Sequence, residues 1–524
     1  MPGWLKDAVF YEIYPQSFKD SNGDGIGDFA GIVEKLDYIK GLGCNALWIN
    51  PCYDSPFMDA GYDVRNYKLT AARYGTNDDL VNLFEEAHKR GIHVLLDLVP
   101  GHTSDEHEWF IKSGSTNPGE YKNRYVWTNN AFQGIPGRPY IGGMCDRDGC
   151  YMLNFFASQP ALNYGFAQCT EDWMLPPDHP DCLASAEAMK DVMRFWLDNG
   201  CDGFRVDMAD SLVKNDDDKK SNTGRIWRGI RQMLDKDYPE AALVSEWGDP
   251  RQALEYGFHM DFYLDHHGNG YNLLLREHER HGDGSDKSYF KKDSGGDITE
   301  FLKDYMGRYL PTRDKGYISF ITCNHDTPRC TRTLSVQELK LAYSFIFTMP
   351  GVPFLYYGDE IGMRYLSLPS KEGGYARTGT RTPMQWNSSN ATLGFSDGDP
   401  AGLYLPVDSD PSAPTVESAE KDPDSLIHTI REIIKLRHEH EDLQADAEFE
   451  PLVAQMGDNA PFVYRRGKLI LAVNPSGHEV SAVLPDIPTV SGLTCKEIYK
   501  KGGSTYDASS RLITLPAQSF VIYA

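Results

Sequence analysis

Three acidic side chains in this sequence each follow a short apolar run of the kind that forms a buried strand: Asp207, Glu246 and Asp326. Carboxylates that lie close together raise one another's pKa, which destabilises the fold unless the cluster serves a function. One reaction that needs such a set is glycosidic hydrolysis with retained configuration, where a nucleophile and an acid/base lie about 5–5.5 Å apart. A single carboxylate after a strand is equally typical of a helix cap or a salt bridge, so the prediction depends on all three meeting.

Four more polar residues stand close to the ends of predicted strands: Asp97, His102, Arg205 and His325. Arg205 precedes the candidate acid Asp207 by two residues, and a guanidinium there can hold the carboxylate ionised and oriented. For the two histidines, a structural imidazole beside a strand is the plain alternative to a role in ligand binding.

The chain alternates short apolar runs with amphipathic stretches, which predicts parallel strands joined by helices. The predicted strands are Val9–Ile13, Ala46–Ile49, His93–Leu98, Gly203–Val206, Ala242–Ser245, Asp261–Leu264, Tyr317–Ile321 and Val352–Tyr356. The predicted helices are Phe29–Lys40, Asp78–Arg90, Ala184–Asn199, Thr223–Asp235, Ile298–Tyr309, Val336–Thr348 and Ser425–His438. Eight such units favour the α/β class and a closed (β/α)8 TIM barrel, whose active site lies at the C-terminal strand ends. An open doubly wound sheet is the alternative, but no GxGxxG motif follows the first strand.

Two segments break this alternation. The segment from Ser104 to about Met174 is rich in Gly, Asn, Pro and aromatic residues and is too long for an ordinary βα loop, so we predict an inserted domain B. After His440 the pattern changes to short alternating strands, which predicts a C-terminal all-β sandwich. The predicted domains are the barrel over 1–103 and 175–440, domain B over 104–174 and the C-terminal domain over 441–524.

Composition excludes several classes of protein. The 524 residues are 40% hydrophobic and 12% aromatic, which predicts a folded chain rather than a disordered one. The net charge of −24 repels nucleic acid and anionic lipid, and no stretch approaches the roughly 18 apolar residues of a membrane span. The first residues lack the basic head and apolar run of a signal peptide, so we expect a cytoplasmic protein, a monomer or weak homo-oligomer.

The ten cysteines are too sparse for a disulfide scaffold, and no CxxC motif or His/Cys cluster indicates zinc. Cys145 and Cys150, and likewise Cys169 and Cys182, stand close enough in sequence to form disulfides in an oxidising compartment. Most of the others are typical of small buried apolar residues.

The segment Asp20–Asp28 carries Asp or Asn at alternate positions, with glycines between them. Such a loop can wrap a hard cation through its oxygen atoms, although the glutamate that ends an EF-hand loop is missing. A turn held by the hydrogen bonds of its own Asp and Asn side chains is the alternative.

Six motifs follow one another along the chain: DLVPGHTS (97–104), GFRVDMAD (203–210), VSEW (244–247), CNHDTPR (323–329), GVPFLYYGDE (351–360) and RTPMQW (381–386). Together and in this order they resemble the α-amylase family (glycoside hydrolase family 13), and within it the oligo-1,6-glucosidase and α-glucosidase branch. The resemblance covers almost the whole chain and implies the barrel, the inserted domain B and the C-terminal β domain. It also implies a retaining, exo-acting α-glucosidase that acts on short oligosaccharides of the maltose or isomaltose type.

The resemblance implies a role for each matching residue. Asp207 is implied as the nucleophile, Glu246 as the acid/base and Asp326 as the third acid, which favours a distorted, oxocarbenium-like ring. The residues implied in substrate binding are Tyr62, Asp63, His102, Arg205, His325, Arg329 and Arg381. The ligands implied for a structural Ca²⁺ or Mg²⁺ ion are Asp20, Asn22, Asp24, the carbonyl of Ile26, and Asp28.

Two of these residues carry the expectation of exo action. Asp63 and Arg381 are expected to hold the terminal 4-hydroxyl of the substrate, which an internal residue of a glucan lacks. A salt bridge between the two across the barrel rim is the alternative.

Three positions depart from the family pattern. Gly101 stands where asparagine usually precedes the histidine, and Ala161 stands where QPDLN is usual. Met208 follows the nucleophile, where the branch has valine with α-1,6 cleavage and threonine or alanine with α-1,4 cleavage. The linkage preference therefore stays open. So do two alternatives to hydrolysis by an exo enzyme: an α-glucosyl transferase or isomerase of the trehalose-synthase or sucrose-isomerase kind, and an endo-acting α-amylase.

Overall fold

A closed barrel of parallel strands forms the centre of the computed structural model, which describes residues 1–264, 270–280, 285–493 and 496–524. Within these residues the barrel strands are β1 Phe10–Ile13, β2 Ala46–Ile49, β3 His93–Leu98, β4 Gly203–Val206, β5 Ala242–Ser245, β6 Met260–Phe262, β7 Tyr317–Ser319 and β8 Phe354–Tyr356. Neighbours in this order are paired, and β1 also pairs with β8. The ring closes just after β7, where the Phe354 N–H donates to the Phe320 carbonyl at 2.8 Å. The predicted barrel is therefore confirmed.

The strands begin and end within two residues of the predicted bounds. Their residues are almost all buried on both faces, as expected of parallel strands covered by helices. Strand β8 begins two residues later than predicted, at Phe354 instead of Val352. Pro353 lies between them and has no N–H to donate to a neighbouring strand.

Helices surround the barrel and cover its outer face. They are Phe29–Glu34, Leu36–Leu42, Asn77–Lys89, Pro180–Asp198, Ser221–Asp237, Pro250–Ala253, Asn272–Leu275, Ile298–Tyr309, Val336–Thr348, Val416–Lys421 and Leu426–Glu439. Two further helices lie outside the barrel: Glu108–Ser113 in the inserted domain and Pro488–Ser491 in the C-terminal domain. Thr76 and Asp79 form the capping box that starts the helix before β3. Pro180 starts its helix four residues earlier than predicted, because its fixed φ suits the first helical position and the His179 side chain accepts from Asp181 N–H.

The chain between β3 and the helix at Pro180 forms a small separate unit, the inserted domain B. It contains the two-stranded sheet Tyr140–Gly142 and Cys150–Met152. Its apolar cluster is Val126, Ile135, Met152, Ala161, Phe166 and Trp173. Ala161 forms a β-bridge with His102, which joins the domain to the end of β3. Ala161, the second departure from the family pattern, therefore belongs to the small core of this domain.

The C-terminal domain is a sandwich of two antiparallel sheets, as predicted. Its strands are β9 Phe449–Val453, β10 Phe462–Arg466, β11 Leu469–Asn474, β12 Val480–Val483, β13 Glu497–Lys501, β14 Thr505–Asp507, β15 Leu512–Leu515 and β16 Ser519–Tyr523. The sheet orders are β9-β10-β11-β16-β13 and β12-β15-β14. Successive residues of a strand face opposite sides of the sheet. On β10, for example, Val463 packs against the other sheet and Tyr464 packs against the barrel.

Two sequence predictions concern cysteines and membranes. Cys145, Cys150, Cys169 and Cys182 are all free thiols in the structure. Among the helices of the described residues, none combines the length and the apolar character needed to cross a bilayer.

Candidate active site

A cavity of about 630 Å³ opens at the C-terminal ends of the barrel strands. Its lining residues are Asp59, Tyr62, His102, Phe155, Asp207, Met208, Asp210, Glu246, Trp247, Gly248, Asp249, Asp304, Arg308, Asp326 and Arg377. The three acids singled out in the sequence are all among them. The cavity is therefore the place where the predicted strand ends meet.

Arg205, on β4, joins the acids inside the barrel. Its Nη1 is 2.8 Å from Asp97 Oδ1 and 3.0 Å from Asp207 Oδ1, and its Nη2 is 2.7 Å from Glu246 Oε2. The side chain is 1% exposed. Asp97 on β3 pairs in register with Arg205, so the two face each other across adjacent strands. One guanidinium thus orients the two candidate catalytic carboxylates toward the same point.

Burial changes the protonation of these two carboxyl groups. It raises the pKa of Asp207 to about 6 and that of Glu246 to about 7, while the positive charge of Arg205 opposes both shifts. Between these two values the pair holds one proton, so one carboxylate and one carboxylic acid lie side by side, which is the combination that a nucleophile and a general acid require.

Hydrogen bonds fix both the Glu246 side chain and the residues on either side of it. Met208 has φ 42° and ψ 47°, a left-handed conformation that is uncommon for a residue other than glycine, and its N–H donates to Glu246 Oε2 at 3.1 Å. Asp261, on β6, accepts from Ser245 Oγ at 2.7 Å and from the backbone N–H of Trp247 at 3.2 Å. Asp261 stood in a predicted strand, but nothing in the sequence singled it out.

Asp326 lies among cations at the opposite wall of the cavity. Its Oδ1 is 2.8 Å from Arg377 Nη1 and 2.9 Å from Arg381 Nη2, and its Oδ2 is 3.2 Å from His325 Nε2. Burial alone would raise the pKa of Asp326, but His325 and the two guanidinium groups outweigh it and hold the pKa well below its usual range. Asp326 is therefore ionised at neutral pH.

His325 stands behind the cavity wall rather than in it. Its Nε2 is 2.5 Å from the Tyr62 hydroxyl and its Nδ1 is 2.9 Å from Glu12 Oε1. Burial lowers its pKa, yet Asp326 and Glu12 together raise it to about 9. His325 thus contacts two residues that line the cavity, Tyr62 and Asp326. Glu12 was missed in the sequence, although a carboxylate inside the apolar strand Val9–Ile13 was a visible signal.

Five residues predicted to bind substrate do not line the cavity: Arg205 and His325, described above, and Asp63, Arg329 and Arg381. Asp63 is fully buried and accepts from Ser55 Oγ at 2.9 Å and from Met58 N–H at 2.8 Å. Arg329 is buried against Asp359 Oδ1 at 2.8 Å. Arg381 reaches Asp326, but its exposure is only 2%. The pairing of Asp63 with Arg381 is therefore corrected: each has its own partners.

Asp59 and Arg377, and not Asp63 and Arg381, are the acid and the arginine of these two loops that reach the cavity. Both line the cavity, and Arg377 Nη2 is 3.6 Å from Asp59 Oδ1. Burial raises the pKa of Asp59 to about 7, against the hydrogen bond from Gln159 Nε2 at 2.8 Å and the charge of Arg377. Each lies four residues before the residue that the motifs indicated, so the sequence located the loops but not the side chains.

The loop Asp20–Asp28 is closed by its own hydrogen bonds. Asp20 accepts from Gly23 N–H at 2.7 Å and Gly25 N–H at 2.8 Å, and Asp28 accepts from Gly31 N–H at 2.7 Å as the N-cap of the next helix. In the part of the chain that the structure describes, no three His, Cys, Asp or Glu side chains converge as metal ligands. The metal therefore stays a prediction, and elemental analysis of protein that has met no chelator tests it.

The chain is similar to known proteins both in sequence and in structure. A family model described as the Alpha amylase catalytic domain matches residues 12–446. An oligo-1,6-glucosidase of Heyndrickxia coagulans is 32% identical, across 93% of this chain and 94% of its own. A trehalose synthase/amylase TreS of Mycolicibacterium smegmatis is also 32% identical, across 84% of this chain and 77% of its own.

Among solved structures, the trehalulose synthase MutB of Pseudomonas mesoacidophila superposes with a TM-score of 0.81 at 25% sequence identity. That match covers 100% of this chain and 99% of MutB. The two kinds of comparison, by sequence and by structure, therefore agree over nearly the whole chain. This chain belongs to the α-amylase family and is a glycoside hydrolase.

Proposed function

We propose that the protein is an exo-acting α-glucosidase that releases glucose from short α-linked oligosaccharides through a covalent glucosyl-enzyme intermediate. The observation that carries this proposal is the sharing of Arg205 by Asp207 and Glu246 in a cavity whose far wall is charged. Retaining enzymes place their two carboxyl groups about 5–5.5 Å apart, and groups bridged by one guanidinium can meet that spacing.

The charged wall favours a chain end over an internal sugar. Asp59, Arg377 and Asp326 lie next to one another there, with two carboxylates that accept and a guanidinium that donates. Hydrogen bonds of this charged kind suit the free hydroxyls of a terminal glucosyl unit. An internal unit has its O4 bonded onward, so its chain would have to pass through this wall.

In the proposed reaction the Asp207 carboxylate attacks the anomeric carbon while Glu246 gives its proton to the departing glycosidic oxygen. The bond from the anomeric carbon to that oxygen breaks, and an ester to Asp207 forms. Water then attacks the same carbon, Glu246 takes the proton from the water, and the ester bond breaks. Two inversions give a product with the α configuration.

Transfer of the glucosyl unit to a sugar hydroxyl is the second candidate. It is favoured by two relatives, the trehalose synthase/amylase of Mycolicibacterium smegmatis and the trehalulose synthase MutB. Phe155, Met208 and Trp247 line the cavity, and their apolar surfaces would exclude water from the ester. The same two carboxylates would act, with a sugar hydroxyl in place of water.

Product analysis on maltose, isomaltose, sucrose, trehalose and maltoheptaose tests the proposal. We expect free α-glucose as the first product, and a starch solution whose viscosity hardly changes. A new disaccharide without free glucose would assign the transferase or isomerase reaction instead. A rapid fall in viscosity, with maltotriose and longer fragments appearing first, would show an endo-acting amylase.

A further inference from the structure

Asn154, in domain B, lies against two residues of the cavity, His102 and Met208. Its Nδ2 is 3.0 Å from His102 Nδ1 and 3.9 Å from Met208 Sδ. The other ring nitrogen of His102, Nε2, is 3.1 Å from the Tyr62 carbonyl oxygen. A carbonyl oxygen only accepts, so Nε2 carries the ring proton and Nδ1 accepts from the Asn154 amide. Both nitrogens of this buried ring are thereby satisfied.

Gly101 leaves the space that the Asn154 amide fills. A Cβ atom on Gly101 would stand 2.9 Å from Asn154 Nδ2, closer than such atoms approach. Gly101 does not have the positive φ that favours glycine, so its smallness is what matters here. The group that a side chain at 101 would displace is the end of Asn154, which is also the group that bonds His102.

We propose that Asn154 is a positioning residue, which together with the space at Gly101 fixes His102 as the neutral tautomer protonated on Nε2. This inference rests on the proposed function, since it takes His102 to contact the glucosyl unit that is transferred. The departure of Gly101 from the family motif then has a physical reason: domain B supplies the amide from the other side of the ring.

A double-mutant cycle on cleavage of p-nitrophenyl α-D-glucopyranoside tests the link between the two positions. We expect Asn154→Ala and Gly101→Ala each to lower kcat/KM at least tenfold, and the double variant to be no worse than Asn154→Ala alone, because the displaced amide is already gone. Two single losses that multiply in the double variant, or wild-type kcat/KM in Asn154→Ala, would overturn the proposal.

Two control variants separate positioning from loss of stability. Asn123→Ala removes another domain B amide, which donates to Asp181 Oδ2 at 2.7 Å outside the cavity, and should leave kcat/KM near wild type. Gly41→Ala adds a methyl group where nothing lies within 4 Å. A melting temperature that stays within the range of these controls shows that the test variants are folded.

The variant Asn154→Asp distinguishes a hydrogen bond from simple space filling. Aspartate has the same shape, but its carboxylate cannot donate to Nδ1 and instead favours a doubly protonated ring. We expect it to lose activity as Asn154→Ala does, and its His102 ¹⁵N signals, assigned against His102→Gln, to be those of an imidazolium at pH 6. Wild-type activity in Asn154→Asp would mean that only the shape matters.

The ¹⁵N spectrum of the wild type needs no turnover, so it separates the two proposals. We expect an unprotonated Nδ1 and a protonated Nε2 in His102. This result with no cleavage of the glucoside would contradict the proposed function and leave the positioning intact. A proton on Nδ1 would contradict the positioning, whatever the activity.

Discussion

At the residue scale, Arg205 supplies the only guanidinium that contacts Asp97, Asp207 and Glu246 among the residues that the structure describes. Removing one partner from such a buried set leaves charges without compensation, which typically costs about 3–5 kcal/mol. The set is nevertheless useful for chemistry. One positive charge among three carboxyl groups lets one of them keep a proton, which can be given to a leaving group.

The shifted pKa values of Asp207 and Glu246 predict the pH dependence of turnover. Activity should be lost as the pH falls through about 6, where Asp207 becomes protonated, and as it rises through about 7, where Glu246 loses its proton. A bell-shaped curve of kcat/KM against pH, with its maximum between these values, is the expected result. The measurement is the initial rate of cleavage of a chromogenic α-glucoside, taken at intervals from about pH 4 to about pH 9.

Glu246→Gln is the control for this assignment. With α-glucosyl fluoride, whose leaving group needs no proton, formation of the ester should proceed in the variant without the basic limb. A basic limb that persists in Glu246→Gln would assign that limb to another group. His102 is not such a group, because burial lowers its pKa to about 4.

Arg377 carries the prediction of exo specificity. Arg377→Ala removes the donor next to Asp59 and Asp326, and truncating one partner of a buried charge pair typically costs about 2–5 kcal/mol in binding terms. We expect kcat/KM on maltose to fall at least a hundredfold with little change in melting temperature. Arg65→Ala is the matched control, since Arg65 pairs with Asp54 outside the cavity. An unchanged kcat/KM in Arg377→Ala would contradict the charged wall as the site of the terminal hydroxyls.

How far the sequence predicts this site depends on the kind of residue. The three acids and Arg205 stand at strand ends or inside a strand, so their register follows from the apolar pattern. Asp59 and Arg377 lie in loops, where four residues of chain can turn any of several side chains inward. Asn154 could not be predicted, because it lies in none of the motifs. The sequence shows only that Gly101 lacks a side chain, and the structure is needed to show that the Asn154 amide fills the space.

At the element scale, Asp202, just before β4, contacts both β3 and the helix that precedes β3. Its Oδ2 accepts from Val94 N–H at 2.7 Å and lies 2.7 Å from His88 Nε2, and its Oδ1 is 3.1 Å from His93 Nδ1. Burial raises the pKa of Asp202, but the two histidines outweigh it and lower the pKa to about 2. A carboxyl whose pKa is lowered by folding stabilises the fold above its unfolded pKa, about 3.9.

We therefore expect Asp202→Asn to lower the free energy of unfolding by about 1–3 kcal/mol at pH 6, where the carboxylate is charged in both states. The difference from the wild type should shrink as the pH falls from 4 to 2, about the interval between the two pKa values. Urea denaturation at several pH values measures this. Asp191→Asn is the control: its pair with Lys68 is exposed, and such pairs contribute about 0–1 kcal/mol. A difference that stays constant down to pH 2 would contradict the account.

The strands and helices could be predicted well because their apolar periodicity is strong. One of these helices also begins with the capping box of Thr76 and Asp79. The loop Asp20–Asp28 shows the limit of such patterns, since the same spacing suits a cation and a hydrogen-bonded turn. In the structure Asp20 and Asp28 accept from backbone N–H groups, and elemental analysis tests the cation.

At the scale of the whole molecule, the C-terminal sandwich is joined to the barrel through buried polar contacts as well as apolar ones. Arg466, on β10, donates to the Gln444 carbonyl at 2.6 Å and to the carbonyl of Thr348 at the end of a barrel helix. Arg437 donates to the Phe347 carbonyl at 3.0 Å near the same helix end. Guanidinium groups at a helix C-terminus satisfy its free carbonyls and its dipole. One apolar cluster also continues from the barrel into the sandwich, where it includes Phe449 and Tyr464.

The central claim is that Asp207 forms a covalent ester with a glucosyl unit, and trapping of that ester tests it most directly. The protein is incubated with 5-fluoro-α-D-glucosyl fluoride, which slows hydrolysis of the ester, then digested at low pH and analysed by mass spectrometry. We expect one fluoroglucosyl group on the peptide that contains Asp207, and none in Asp207→Asn. A label on any other residue, or release of β-glucose from maltose without a label, would contradict the account.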